Sequence, residues 1–131
     1  MMAVPFDTLQ GKTISKVVED TNYDTVDFFT TDGGHFHMEH FQDCCESVYL
    51  ADVAGGTLDA LVGQKILSAY VETNEDLPAP DGDTWVDDCQ MWTFYTIRTM
   101  FHTLTLRWFG SSNGYYSVDV NFMDVNIERE W

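Results

Sequence analysis

Residues 35–46 (HFHMEHFQDCCE) concentrate side chains that can bind a metal ion or exchange protons. Three imidazoles, three carboxylates and two thiols lie within twelve residues. Imidazole and thiolate are common zinc ligands, so a metal site is one interpretation. Its ligands would come from His35, His37, His40, Cys44 and Cys45.

A second interpretation of the same residues is an ordinary strand. On a strand, His35 and His37 lie on one face, while Phe36, Met38 and His40 lie on the other. The two histidines would then face solvent, and one of the two adjacent cysteines would enter the core, where free cysteine is common. The adjacent thiols also point in different directions, unlike a C-x-x-C pair around one ion.

Catalytic motifs are absent from the sequence. It contains no G-x-x-x-x-G-K-[ST], G-x-G-x-x-G, G-x-S-x-G or H-E-x-x-H pattern. A cysteine nucleophile with His40 or His102 as its base would need positive surroundings to lower the pKa of its thiol, and this neighbourhood is acidic. We therefore favour a non-enzymatic protein, assign no catalytic residue and expect no cofactor, with zinc as the exception described above.

Aromatic and polar side chains form a second cluster in residues 92–95 and 108–117. Aromatic rings next to amide and hydroxyl groups can stack on a small ligand such as a nucleotide signal, and two arginines on neighbouring strands can meet its phosphate. This candidate ligand site consists of Trp92, Tyr95, Arg98, Arg107, Trp108, Asn113 and Tyr115. The alternative is two hairpins whose rings fill the face of a sheet.

The net charge restricts the partners. With 22 Asp and Glu against 6 Lys and Arg, the formal charge is −16. Such a chain cannot hold nucleic acid phosphates directly, and anionic membranes would repel it. The field attracts a basic partner, and carboxylates on a rigid sheet can imitate phosphates. The candidate contact residues are Glu72, Glu75, Asp76, Asp81, Asp83, Asp87 and Asp88.

Strands are the main predicted elements. Ile14–Glu19, Thr25–Thr31 and His35–His40 predict a three-stranded meander. A helical turn leading into a strand is predicted for Cys44–Val53, and Lys65–Thr73 predicts another strand. Residues 74–90 hold two prolines and six acids and predict an exposed loop.

The second half of the chain predicts another meander. Met91–Thr99 and Thr103–Phe109 are aromatic and β-branched, and Asn113-Gly114 is a strong hairpin signal before the alternating residues 115–122. Thr57 and Gly63 are candidate caps of a short helix near residues 57–62. The predicted fold class is therefore α+β, mainly antiparallel sheet with one or two short helices.

Length and hydropathy predict one soluble domain over residues 1–131. A chain of this size can bury a stable core. No run approaches 18 apolar residues, and the first residues lack the pattern of a secretory signal. The chain has three cysteines, an odd number, and no export signal. We therefore expect the thiols to be reduced, as is usual in a cytoplasm. An exposed sheet edge would allow a homo-oligomer.

The segments HFQDCCESV (40–48) and WFGSSNGYYS (108–117) resemble a family of small uncharacterised bacteriophage and prophage proteins. WTFY (92–95) and LQGK (9–12) are similar to further segments of that family. The resemblance implies a phage accessory protein in the bacterial cytoplasm, for which we expect inhibition of a host antiviral defence factor. Sequestration of a nucleotide signal and metal binding through the His/Cys cluster are the alternatives.

Overall fold

The computed structural model describes residues 1–80, 89–114 and 116–127, and strands dominate them. Two short 3₁₀ turns, Phe6–Leu9 and Leu58–Leu61, accompany the strands. The strands are β1 (Met2–Ala3), β2 (Ile14–Asp20), β3 (Thr25–Thr30), β4 (His35–Glu39), β5 (Ser47–Ala54), β6 (Ser68–Asn74), β7 (Cys89–Arg98), β8 (Thr103–Ser112) and β9 (Asn121–Asp124).

The strands form two antiparallel sheets. Sheet 1 has the order β1-β9-β4-β3-β2, and sheet 2 has the order β5-β8-β7-β6. The predicted meander of β2, β3 and β4 is confirmed, and so is the hairpin of β7 and β8. These hairpins were predictable because the alternation of apolar residues and the turn residues are both local in sequence.

Both sheets contribute their apolar faces to one core. Phe28 and Phe36 of sheet 1 and Leu106 and Trp108 of sheet 2 are at most 1% exposed and belong to the same cluster. Phe6 of the first 3₁₀ turn joins the two sides: its ring centroid lies 4.9 Å from that of Tyr95 in β7 and 5.0 Å from that of Phe122 in β9.

The predicted helices are wrong. Among the described residues there is no α-helix, and Leu58–Leu61 forms only a single 3₁₀ turn. Thr57 makes no side-chain capping hydrogen bond, although Gly63 does adopt the positive φ of +81° expected after a helical segment. A four-residue segment forms too few hydrogen bonds to compensate the free-energy cost of helix nucleation. The tertiary contacts of Leu58 and Leu61 therefore determine the local backbone conformation. The helical turn predicted before β5 is likewise replaced by bends.

The prediction of a third strand in the second meander is also wrong. After β8 the chain leaves sheet 2, and its next strand, β9, pairs with β4 and β1 in sheet 1. The glycine in β8 permits this crossing, because a Cβ at Gly110 would lie 2.6 Å from the Cβ of Val118. Val118, 6% exposed, therefore packs directly on the backbone of β8. Asn113-Gly114 begins a crossover between sheets rather than a hairpin.

Residues 40–46 make the opposite crossing, from β4 in sheet 1 to β5 in sheet 2. Among the residues that the structure describes, two segments thus cross between the sheets, residues 40–46 (the first crossover) and the residues that follow β8 (113–114 and 116–120, the second crossover), and they meet through a hydrogen bond between His40 and Asp119. Within the described part of the chain, no helix has the length and apolar character needed to cross a membrane.

Substitution of Gly110 by alanine tests the crossing of Val118 over β8. The added methyl group would overlap Val118, so we expect Gly110→Ala to lower the free energy of unfolding by about 1–3 kcal/mol, the usual cost of overpacking. Urea denaturation measures the change. Ser111→Ala, on the neighbouring residue of the same strand, is the control; equal stability of the two variants would contradict the packing described here.

Candidate functional site

The outer face of sheet 1 carries a row of hydrogen-bonded histidines and carboxylates. Asp27 Oδ1 accepts hydrogen bonds from His35 Nε2 at 2.7 Å and from His37 Nδ1 at 2.8 Å. The other nitrogen of His37, Nε2, lies 2.7 Å from Glu39 Oε1. The predicted division of β4 is confirmed, since His35 and His37 face outward while Phe36 and Met38 are buried.

His37 lies between two carboxylates, which favour its protonated form. Partial burial lowers the pKa of His37, but the hydrogen bonds to Glu39 and Asp27 outweigh it and raise that pKa above 6.5. Both ring nitrogens act as donors in this arrangement. They have no lone pair left for a metal ion.

His40 takes a different position, at the junction of the two crossovers. Its side chain is 5% exposed. Its Nδ1 lies 2.6 Å from the backbone oxygen of Asp119, and its Nε2 lies 2.8 Å from Glu46 Oε2. Through these two contacts the side chain of His40 joins the two crossovers.

Glu46 is the centre of this junction. Its carboxylate accepts hydrogen bonds from His40, from Gln42 Nε2, and from the backbone N–H groups of Asp43 and Cys44. Burial raises the pKa of Glu46, but the N–H of Cys44, the imidazole of His40 and the N–H of Asp43 lower it to about 2 overall. The charged carboxylate thus organises the whole 42–46 turn.

The cysteines depart from the expectation of reduced thiols. The structure joins adjacent Cys44 and Cys45 by a disulfide, and Cys89 is a free, half-buried cysteine. The turn around Glu46 brings the two adjacent side chains together. Bonded to each other, these sulfurs are not available as thiolate ligands. The predicted metal set is therefore divided between the outer face of β4, the junction at His40 and the disulfide, and the described residues contain no cluster arranged to hold a metal ion.

The predicted aromatic site is divided by the alternation of β7 and β8. Tyr95 and Trp108 point into the core and are 5% and 1% exposed. Trp92 and Arg107 lie on the opposite face of sheet 2, with the guanidinium 4.9 Å from the ring centroid, but Trp92 is only 3% exposed and donates its indole N–H to the backbone oxygen of Pro78. Arg107 Nε also lies 3.3 Å from Asp52 Oδ1.

The other members of that aromatic set lie apart. Arg107 pairs with Phe94, four residues before Arg98, so the two arginines are about 13 Å apart along the strands. Asn113 is exposed in the crossover that follows β8, and Tyr115 lies outside the described residues. The described members of the set do not converge on one ligand.

The predicted acidic contact set is only partly described. Glu72 lies on the outer face of β6, at the edge of sheet 2, opposite Phe94. Glu75 and Asp76 follow it and are exposed. Asp81, Asp83, Asp87 and Asp88 lie outside the described residues. The predicted loop over residues 74–90 is confirmed at 75–80, which are irregular and mostly exposed, but β6 includes Asn74 and β7 begins at Cys89.

Two surface cavities flank the first crossover. One, of about 410 Å³, lies on the side of the second crossover and is lined by His40, Phe41, Gln42, Asp43, Glu46, Ser117, Asp119 and Asn121. The other, of about 420 Å³, is lined by Asn22, Tyr23, Asp24, Glu39, His40, Phe41, Gln42 and Val48. Residues 40–42, here called the Phe41 ridge, separate them.

The ridge is anionic and carries an exposed ring. Phe41 is 45% exposed. Apart from His40, which is paired with Glu46, the charged residues that line the two cavities are all carboxylates. Sequence reasoning selected His40 and the cysteines here but missed Phe41, Glu46 and Asp119. The spacing of His40 and Glu46 was visible in the sequence, whereas residue 119 is 79 positions away and comes close only through folding.

The model of a family described as "Domain of unknown function (DUF7448)" matches residues 7–122, which include the meander, both crossovers and the Phe41 ridge. No curated protein and no solved structure matches the chain.

Replacement of Glu46 tests its role at the junction. A carboxyl group with a lowered pKa contributes stability above its ordinary value of 4.5, and this contribution is lost as the pH falls towards about 2. We expect Glu46→Gln to be less stable than wild type at neutral pH and to lose less stability between these pH values. Thermal unfolding across this range, with Glu75→Gln as the exposed control, measures both effects. Parallel curves for wild type and Glu46→Gln would contradict the assignment.

Replacement of His37 tests the outer face of sheet 1. A histidine with a raised pKa contributes stability that is fully present below pH 6.5 and is lost as the pH rises through its folded-state pKa. We expect His37→Gln to remove this decrease above pH 6.5, while exposed His102→Gln leaves it in place. Unfolding between pH 6 and 9 and the NMR titration of His37 provide the measurements; a His37 titration below 6.5 would show that the carboxylates do not hold its proton.

Proposed function

The chain belongs to the DUF7448 family, and we propose that it is a non-catalytic protein that binds a basic partner through its anionic surface. Following the resemblance to phage accessory proteins, we further propose that the partner is a host antiviral defence factor in the bacterial cytoplasm. The carboxylates would occupy the groove that this factor uses for nucleic acid. Binding of this kind would inhibit the factor without any chemical reaction.

The composition of the cavities is the observation that supports this proposal most directly. A third cavity, of about 360 Å³, is lined by Val17, Glu19, Thr57, Leu58 and Asp59, so its charged lining residues are again carboxylates. Two of the six bases are already occupied by the chain's own acids, with Lys12 2.9 Å from Asp32 and Arg107 3.3 Å from Asp52. A cationic group approaching these surfaces meets excess negative charge in each case.

Rigidity is the second support. Carboxylates imitate phosphates only if their spacing is fixed, because a mobile side chain loses conformational entropy when it binds. Asp27 is held by two histidines, and Glu39 is held by His37. Glu72 lies on a strand of sheet 2. Carboxylates on both sheets are therefore presented on a stable framework.

A nucleotide-binding function is the alternative, and the observation behind it is the partly exposed guanidinium of Arg107, which lies 4.9 Å from the ring centroid of the buried Trp92. Thermal-shift measurements with cyclic and ADP-ribose-type nucleotides separate the two functions. A large stabilisation by one nucleotide would favour this alternative. Elemental analysis of the purified protein tests metal binding in the same way, since stoichiometric zinc or iron would favour a metal protein.

Charge reversal tests the proposed contact surface. We expect the combined variant Glu72→Lys, Glu75→Lys and Asp76→Lys to bind the partner about tenfold more weakly at low salt, because electrostatic attraction accelerates association. The partner is first captured from host lysate and purified, and its affinity is measured at low and high salt. The combined variant Asp7→Lys, Asp20→Lys and Asp124→Lys has the same net charge, changes carboxylates outside the contact set and the three cavities, and is the control. Equal affinities of the two variants would show that the predicted surface has no special role.

A further inference from the structure

We propose that the Phe41 ridge is a recognition site for guanidinium groups, with one arginine side chain of an extended peptide segment in the cavity on each side of the ring. This inference rests on the proposed function, since it identifies the part of a basic partner that makes the closest contact. It also predicts which residues of this chain distinguish arginine from a general positive charge.

The position of Phe41 is fixed by its neighbours in the chain. His40 is held by Asp119 on one crossover and by Glu46 on the other. Gln42 donates hydrogen bonds from Nε2 to the carboxylate and to the backbone oxygen of Glu46. The ring between these two anchored residues remains 45% exposed. An exposed aromatic ring on a rigid segment can bind a ligand at little entropic cost.

The two cavities offer carboxylates on both sides of this ring. Asp43 and Asp119 line the first cavity, and Asp24 and Glu39 line the second. A guanidinium is planar, so it can stack on an aromatic face while its N–H groups donate to a carboxylate. An ammonium group is a compact charge and lacks this planar geometry. Ring and carboxylates together therefore favour arginine over lysine.

An extended peptide fits the arrangement of the two cavities. In an extended chain the side chains of residues i and i+2 lie on the same face, about 7 Å apart. Two arginines with this spacing would straddle a single ring. In a helix the same two-residue spacing would place the side chains on different faces, so arginines three or four residues apart would be needed instead. Charge complementarity and the paired cavities thus point to an arginine-rich, extended segment.

Binding of an acetylated, amidated hexa-arginine peptide to the full chain tests the inference, with hexa-lysine as the comparison peptide. We expect wild type to bind hexa-arginine more tightly, and Phe41→Ala to weaken this binding about threefold or more, in line with the strength of an exposed cation–π contact. Phe101→Ala is the matched control, because Phe101 is 72% exposed at the turn between β7 and β8. We expect this variant to bind like wild type.

A second experiment neutralises the carboxylates that line the cavities. Asp43→Asn with Asp119→Asn removes two charges at the ridge, and Asp7→Asn with Asp20→Asn removes two charges outside the ridge and the contact set. We expect the first pair to weaken binding more than the second, and NMR shift changes on peptide addition to centre on residues 40–43. Phe41→Leu keeps an apolar side chain but removes the aromatic ring. If Phe41→Leu and Phe41→Ala both weaken peptide binding, the ring contributes by stacking and not merely by apolar contact. Circular dichroism establishes that each variant is folded.

The outcomes separate the two proposals. Equal effects of the ridge variants and their controls, or equal affinity for the two peptides, would overturn the guanidinium site but leave binding of a basic partner in place. Full affinity of Phe41→Leu would overturn the stacking contact. Failure of wild type to bind either peptide at low salt would reject the proposed function together with this inference.

Discussion

The buried carboxylate of Glu46 holds together the end of the molecule where the chain changes sheets. A buried charge is costly unless hydrogen bonds compensate it, and here the turn around Glu46 supplies donors from the backbone as well as from His40 and Gln42. Through His40 the same interaction reaches the backbone of Asp119 on the second crossover. The exposed position of Phe41 and the shape of the two cavities depend on this junction, because both crossovers contribute to them.

Fixed negative charge is the property that connects the junction with the rest of the surface. On the outer face of sheet 1, His37 is bound between Asp27 and Glu39, so its imidazole is paired with the protein's own carboxylates. Lys12 and Arg107 are paired internally in the same way. What remains for a partner is a framework of anionic side chains with few cations, and this character is common to both proposals.

The strands were predictable from the sequence, but the site was only partly so. Alternation placed Phe36 and Met38 in the core and His35 and His37 outside, because a strand turns successive side chains to opposite faces. The predicted aromatic site grouped its residues by composition alone. Applied to β7 and β8, the same rule separates Tyr95 and Trp108 from Trp92 and Arg107. The predicted helix failed because a four-residue segment has too few hydrogen bonds of its own to impose a helical shape.

The sequence by itself determined the β-rich secondary structure, the first meander, the β7–β8 hairpin and the excess negative charge, since each depends on neighbouring residues or on simple counting. Only the tertiary structure decided that residues 113–120 return to the opposite sheet, and that His40 meets Asp119 at the ridge. Gly110 shows the reason: it is unremarkable in the sequence, yet its missing side chain leaves the space that Val118 occupies. Contacts between distant residues arise from packing, which local patterns do not encode.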